Sequence, residues 1–323
     1  MDYKEIAFEK DTLFLVTGGA GFIGSNLCEA ILEMGYRVRC FDNFSIGRRE
    51  KIIHLQNNSL FEEIDGDIRD YDMCISICQN ADFVLHHAAY GSPSITEMPS
   101  LYDEINVKGT INMMEAARNQ KVKKFVYASS SSVYGDDEMP QKKEEKIGTP
   151  LSLYALTKRI NEDYGKFYAM LYGLETYGLR CFNVFGRGQN PDAGASLIAK
   201  FIKLLQNNEP PIIYGDGSQS RDFVYIRDVV TANLQACKAP GKAAGQVYNI
   251  ASGEMKSVME VYNYICKVLG KNIKPILYDE RNGDIKHSWA DISKAKVLLG
   301  YNPEWDFEKG IDETIKWYKQ NLI

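Results

Sequence analysis

Residues 1–11 form a polar leader, after which the chain turns apolar at Leu13, Phe14, Leu15 and Val16. A short apolar run entered this way predicts a strand buried on both faces, as in a parallel sheet. The cluster Gly18-Gly19-Ala20-Gly21-Phe22-Ile23-Gly24 must turn the chain out of that strand. Ile23, Leu27, Ile31 and Leu32 then recur at helical spacing, and Gly35 stands where a helix should stop. A second strand, Arg37 to Asp42, completes a strand–helix–strand unit. The alternation continues: Leu60 to Ile64, Phe83 to Ala89, Lys124 to Ala128 and Thr176 to Arg180 read as strands. Ser100 to Asn119 and Tyr154 to Met170 read as helices. Residues 43–49 read as a loop into a helix, and residues 136–149 as a charged surface loop.

Strands alternating with helices predict an α/β fold, a Rossmann-type doubly wound parallel sheet. Past Asn183 the pattern loosens, punctuated by Gly186, Gly188, Pro191, Gly194, Pro210-Pro211 and Gly215-Asp216-Gly217. This predicts a dinucleotide-binding domain over residues 1–182. A smaller C-terminal α/β substrate-binding lobe takes up mainly residues 183–323, with an interleaved boundary. Ligands of such sheets bind beyond the carboxyl ends of the strands. The glycine loop, Asp42, Ala88-Ala89 and the serine run Ser129-Ser130-Ser131-Ser132 all fall at such ends, so one cleft gathers them.

The glycines have separate tasks: a tight turn, close approach to a pyrophosphate, and close packing of helix on strand. The helix N-terminus offers free N–H groups and the positive end of its dipole to the anion. Asp42 stands where an acid should accept hydrogen bonds from an adenosine ribose and repel a 2′-phosphate, which favours NAD over NADP. Small residues at Ala88 and Ala89 let backbone lie against a flat cofactor. Candidate cofactor contacts are Gly18, Gly21, Phe22, Ile23, Gly24, Asp42, Asn43, Gly47, Ala88, Ala89 and Ser129. His86 and His87 read as strand-end packing, since no acid or cysteine joins them.

Composition narrows the partners. A net charge of −5 and a pI near 5.6 argue against nucleic acid. No stretch of about twenty apolar residues predicts a membrane span. The N-terminus has no apolar core of a signal peptide, so a cytoplasmic protein is expected. Its seven cysteines read as reduced thiols. Cys74 and Cys78 lack a companion pair, so no metal site is expected.

Tyr154-Ala155-Leu156-Thr157-Lys158 places Tyr and Lys on one helix face. An ammonium beside a phenol, and the positive nicotinamide of NAD⁺, would both pull the phenol below its usual value near 10. Tyr154 would then be a general base near neutral pH, with Lys158 also bonding the nicotinamide ribose. Ser130 is the best partner hydroxyl, and Ser131 and Ser132 are its neighbours.

With these motifs the chain resembles the extended short-chain dehydrogenases/reductases, and among them the nucleotide-sugar 4-epimerases, over nearly its whole length. The resemblance rests on Gly18 to Gly24, Asp42-Asn43, Gly66-Asp67-Ile68, Ala88-Ala89, Asn106-Val107-Lys108-Gly109-Thr110 and the Tyr154/Lys158 pair. Leu179 to Gly186, Ser220-Arg221-Asp222-Phe223 and Gly283-Asp284 extend it. It implies that Asp67 and Ile68 lie by the adenine and that Asn106 supports the cofactor site. It implies that Asn183, Arg221 and Arg281 hold a UDP diphosphate, with Tyr214 near the uracil and Asp284 in the same motif. It implies, too, a mechanism in which Tyr154 takes the 4-hydroxyl proton and hydride passes to NAD⁺. A 4-keto sugar then turns over, and hydride returns to its other face.

The resemblance also bears on the substrate. Relatives that dehydrate or decarboxylate often carry acids where Ser131 and Ser132 stand. A tyrosine at the position of Ser288 narrows the sugar pocket in relatives restricted to glucose and galactose. Ser288 therefore implies room for a 2-acetamido group, and so UDP-N-acetylglucosamine and UDP-N-acetylgalactosamine. The loop Ala89 to Ile95, with Ser92 a candidate sugar contact, is one residue shorter than in close relatives. Leu153 before the tyrosine is shared with some uronic-acid epimerases, which keeps UDP-glucuronate as the alternative. A 4,6-dehydratase or decarboxylase is the less favoured one. A non-catalytic NAD-binding regulator would have lost Tyr154 or Lys158, and both are present. Met113, Met114, Phe167 and Met170 read as core packing, although the family commonly pairs these two helices in a homodimer.

Overall fold

The computed structural model describes residues 2–91, 98–192, 196–280 and 285–321. Its central sheet contains β1 (Leu13–Thr17), β2 (Arg37–Asp42), β3 (Phe61–Asp65), β4 (Phe83–His86), β5 (Lys124–Ser130), β6 (Glu175–Cys181) and β7 (Gln246–Ile250). The order is β7-β6-β5-β4-β1-β2-β3, and every pairing is parallel. Helices α1 (Phe22–Glu33), α2 (Tyr71–Cys78), α3 (Gly109–Asn119), α4 (Leu153–Tyr172) and α5 (Ile226–Lys238) cover the sheet.

The apolar run of β1 is buried throughout because both of its faces are covered. Phe14 and Val16 join one core with Leu27 and Ile31 of α1 and Val229 of α5. Leu13 and Leu15 face the other way, into a core with Ile77 of α2 and Met113 of α3. Successive side chains of a strand point to opposite faces, so one five-residue strand feeds both layers. The turn in chain direction falls between β1 and β4, and there the sheet opens a crevice.

The chain beyond Asn183 is not confined to a separate lobe, because α5 and β7 return to the central sheet. What remains joins residues 141–142 in a small four-stranded sheet ordered 256–257, 220–221, 287–290 and 141–142. Two further strand pairs join 183–185 to 223–225 and 212–214 to 276–278.

Several local expectations are corrected. The strand expected to reach Ala89 ends at His86. The helix expected after residue 49 is replaced by two 3₁₀ turns, Arg49–Lys51 and Ile53–Leu55. The helix expected over Ser100 to Asn119 contains a π-helical turn, Asp103–Lys108, which carries the buried Asn106. Residues 136–149 are not simply a surface loop. Lys142 is 1% exposed and its ammonium meets the Asp137 carboxylate at 3.3 Å. A buried ion pair satisfies both charges there, so the segment can lie inside and pair with the strand 287–290. Met113 and Met114 are fully buried, but Phe167 and Met170 are 50% and 61% exposed. They lie on the outer side of α4, away from the sheet.

Candidate active site

The cleft beyond the strand ends is bounded by residues from four successive strand ends. Gly18 and Gly21 come from the end of β1, Asp42, Asn43 and Gly47 from β2, Asp67 and Ile68 from β3, and Ala88 and Ala89 from β4. Parallel strands make this possible, since all their carboxyl ends lie on one side.

The cradle is fitted so closely that only glycine serves at two positions. Gly18 has φ +67°, and a Cβ there would stand 2.7 Å from the Ala88 nitrogen. A Cβ on Gly24 would stand 2.1 Å from the Gly18 carbonyl oxygen, because α1 starts directly against the turn. Phe22 and Ile23 form the first turn of α1. Its free N–H groups suit an anion. The Asp42 carboxylate accepts from the Ala20 N–H (2.9 Å) and the Phe44 N–H (2.8 Å), which aims it into the cleft beside Gly47. Burial raises its pKa above the usual carboxylate value despite those two donors. On the far wall Asn43 donates to Asp67 (2.8 Å), and the Arg69 guanidinium holds Asp67 down to about 2. The cradle, the Asp42 carboxylate and the polar far wall fit an NAD-sized dinucleotide.

The catalytic candidates lie where β5 ends. Ser152 caps α4 by accepting from the Ala155 N–H (3.1 Å), which starts the helix one residue before Tyr154. Lys158, one turn on, donates its ammonium proton to the Ala128 carbonyl (2.8 Å) and lies 5.6 Å from the Tyr154 ring centre. Burial pulls Lys158 down to about 8. The Lys158 ammonium by itself does not lower the Tyr154 phenol. Burial pushes it up to about 12, although the neighbouring Ser130 hydroxyl acts to lower it. Desolvation of the phenolate outweighs everything else in this protein, so the phenol needs further positive charge beside it to work as a base. Ser130 also accepts from the Ser132 N–H (3.1 Å), while the Ser132 hydroxyl is buried with no partner. Ser131 begins the 3₁₀ turn between them.

The side-chain polar groups of Ser129 and Asn106 are engaged within the protein. The Ser129 hydroxyl is taken up by the buried Glu162 carboxylate. Asn106 is 0% exposed, bonded to the Tyr90 N–H and carbonyl (2.7 and 3.1 Å) and to Thr157 (3.1 Å). It holds the end of the cleft wall against α4 and presents nothing to the cleft. His86 is neutral by burial and bridges Thr17 and Thr110, while His87 is bonded to Asn233.

Substrate-side candidates gather on the small sheets. Asn183 follows β6 directly and donates to the Asp222 carbonyl (2.8 Å). Arg221 and Ser288 are register partners on adjacent strands. Tyr214 is tied to this sheet through its carbonyl, which accepts from Gln219 (2.8 Å). Ser92, Arg281 and Asp284 lie outside the described residues. Sequence reading overlooked Asp222, whose buried carboxylate accepts from the Ser252 N–H and hydroxyl, the Gly253 N–H and the Ala290 N–H. Burial pushes it to about 6. It fastens the strand carrying Ser288 to the strand carrying Arg221.

A dinucleotide cradle at the switch point of a doubly wound sheet, with Ser, Tyr and Lys beside it, defines an NAD-dependent short-chain dehydrogenase/reductase-type site. A family model described as NAD dependent epimerase/dehydratase matches residues 14–251. A putative UDP-glucose 4-epimerase of Methanocaldococcus jannaschii is 38% identical, over 96% of this chain and 99% of its own. A UDP-N-acetylglucosamine 4-epimerase of Methanobrevibacter ruminantium, solved with UDP-N-acetylmuramic acid, superposes with a TM-score of 0.91 at 36% identity. It covers 97% of this chain and 100% of its own. A UDP-glucuronic acid 4-epimerase of Bacillus cereus, solved with UDP-glucuronic acid and NAD, gives a TM-score of 0.87 at 33% identity. It covers 96% of this chain and 99% of its own. The chain belongs to the NAD dependent epimerase/dehydratase family, within its nucleotide-sugar 4-epimerases. It is accordingly an NAD-dependent enzyme. No helix among the described residues is long and apolar enough to cross a membrane.

Proposed function

We propose that the protein interconverts UDP-N-acetylglucosamine and UDP-N-acetylgalactosamine. The observation carrying this reading is the small Ser288 in register with Arg221 on the adjacent strand of the small sheet. A guanidinium such as that of Arg221 suits a diphosphate through its planar fork. A serine beside it leaves space where a tyrosine would fill the sugar pocket. The methanogen UDP-N-acetylglucosamine epimerase, at 36% identity, supports the same substrate class.

Gly18, Gly21, Gly24, Asp42, Asp67 and Ala88 would hold the dinucleotide, which when bound supplies the hydride acceptor and donor for the sugar C4. Tyr154 takes the proton from the 4-hydroxyl and later returns it. Ser130 orients that hydroxyl. Lys158 keeps its ammonium against the Ala128 carbonyl and stabilises the phenolate. Arg221 and Asn183 keep the nucleotide anchored while the sugar turns.

The test is sugar-proton NMR on purified protein given UDP-N-acetylglucosamine, UDP-glucose and UDP-glucuronate separately, without added NAD. A galacto-configured product formed fastest from the acetamido sugar is the expected result. Ser288→Tyr should lower acetamido turnover at least tenfold and spare glucose, since excluding a group by bulk costs about 1–3 kcal/mol or more. Conversion of UDP-glucuronate alone would establish the second reading, which the 33% identical Bacillus cereus enzyme and Leu153 favour.

The working unit is a homodimer. Leu153, Leu156, Tyr164, Phe167 and Leu171 are all at least 38% exposed and form one stripe along α4, with half-buried Ile160 between them. A stripe at this spacing suits a helix pair. Covering it with a second copy would remove an apolar patch that a monomer leaves wet. Phe167→Asp should leave a folded monomer by light scattering, whereas an unchanged mass would remove this face as the interface.

A further inference from the structure

Behind the catalytic pair lies a buried polar network whose centre is Glu162. This residue is one helical turn beyond Lys158 and two beyond Tyr154, on the same face of α4. It is 8% exposed. One carboxylate oxygen accepts from the Ser129 hydroxyl (2.5 Å) and from Arg180 Nε (2.8 Å), and the other from Arg180 Nη2 (2.8 Å). Such a bidentate fork fixes both partners in angle as well as distance. Ser129 and Arg180 are register partners on β5 and β6. Ser129 stands between Ala128, whose carbonyl accepts a hydrogen bond from Lys158, and Ser130, which touches Tyr154. Glu162 therefore grips the one residue flanked by both catalytic contacts.

The network does not stop there. Arg180 donates to the Glu144 carbonyl (3.1 Å) and lies 4.9 Å from the Tyr134 ring centre. The Glu144 carboxylate accepts from the Asn249 N–H (2.9 Å), and the Asn249 side chain donates to the Lys142 and Asp291 carbonyls (3.0 Å each). Asp291 follows directly on the strand that carries Ser288. A continuous chain of hydrogen bonds thus joins the catalytic strand end to the substrate-side sheet.

We propose that Glu162 is a positioning residue for the epimerase reaction, holding Ser130 and Lys158 at their depth against Tyr154 and keeping the proton on Lys158 Nζ. Lys158 is faced by Tyr154 and Glu162 from α4 and by the Ala128 carbonyl from β5. It is also faced by the Cys181 thiol from β6 and by the neutral imidazoles of His86 and His87 after β4. Among these groups Glu162 alone is a carboxyl group. Burial favours the neutral amine, and the Glu162 side chain opposes it. Lys158 thus loses its ammonium as pH rises through about 8, and removing the Glu162 charge moves that loss to lower pH.

The test follows the Lys158 side-chain nitrogen by NMR in isotopically labelled protein, its signal assigned by its absence in Lys158→Arg. Glu162→Gln should titrate Lys158 at a pH lower by about half a unit or more, the effect of an opposite charge already shared with Arg180. The alkaline arm of kcat/KM should move by the same amount. Ser129→Ala, which keeps the charge and removes one bond, should lower kcat with the Lys158 midpoint in place. Should Glu162→Gln not fold, Glu162→Asp, with the carboxylate drawn back by one methylene, should show a smaller shift of the same sign. A wild-type midpoint in the soluble variant overturns the proposal. The inference rests on the epimerase reading for its kinetic arm only. The titration needs no substrate, so a wrong sugar assignment leaves it readable.

Discussion

Tyr154→Phe leaves a folded protein that retains NAD but turns over sugar roughly 10²–10⁴-fold more slowly, the loss expected for a general base. The cradle formed by Gly18, Gly24, Asp42 and Asp67 is built by other strands and does not include the phenol. Lys158 keeps its bond to Ala128, so the helix face survives. Released nucleotide after heat denaturation measures retention, and sugar-proton NMR measures turnover. Turnover at the wild-type rate would remove Tyr154 from the chemistry. The same residue carries a titration. Without cofactor, burial keeps the phenol at about 12, far from a base at neutral pH. The oxidised nicotinamide is a cation, and a cation nearby favours phenolate. The ultraviolet difference spectrum between protein and Tyr154→Phe should therefore show phenolate at lower pH once NAD⁺ is added, and NADH should not produce it.

Gly24→Ala sharply weakens dinucleotide binding. Its Cβ would lie 2.1 Å from the Gly18 carbonyl oxygen and 2.8 Å from the Gly19 Cα, both backbone atoms that cannot swing aside. The turn must open, and with it the spacing between β1 and α1 on which the cradle depends. Overpacking of this kind costs about 1–3 kcal/mol or more. A fall in melting temperature of several degrees is expected together with a loss of NAD affinity of about a hundredfold or greater. Gly35→Ala is the control. Gly35 has φ +81° but nothing within 4 Å of its Cβ position. It should show a backbone penalty of about 1 kcal/mol and normal NAD affinity. Equal affinity losses in the two variants would mean that general destabilisation, not the cradle, accounts for the effect.

What the sequence determined by itself was everything carried by local pattern. The apolar runs at Leu13, Phe83, Lys124 and Thr176, the helical spacing after Gly24 and the glycine turn are periodic or steric signals within about thirty residues. They fold into the expected kinds of element because the burial they demand is met by their immediate neighbours. Parallel strands share one carboxyl end, so Gly18, Asp42, Asp67 and Ala88 had to meet. Tertiary structure decided where each polar group finds its partner. The Ser129 hydroxyl is bonded to Glu162 and the Asn106 amide to the Tyr90 backbone, partners that no local pattern shows. The sequence marked Tyr154 and Lys158 as a pair, whereas only burial set their titration, upward for one and downward for the other. Lys142 and Asp137 read as surface charge because nothing local shows that β-pairing with residues 287–290 will carry them inside. Phe167 and Met170 read as core because helical spacing gives the stripe but not the direction it faces. Hydrogen-bond satisfaction and desolvation depend on residues far apart in the chain, and only the assembled fold brings those residues together.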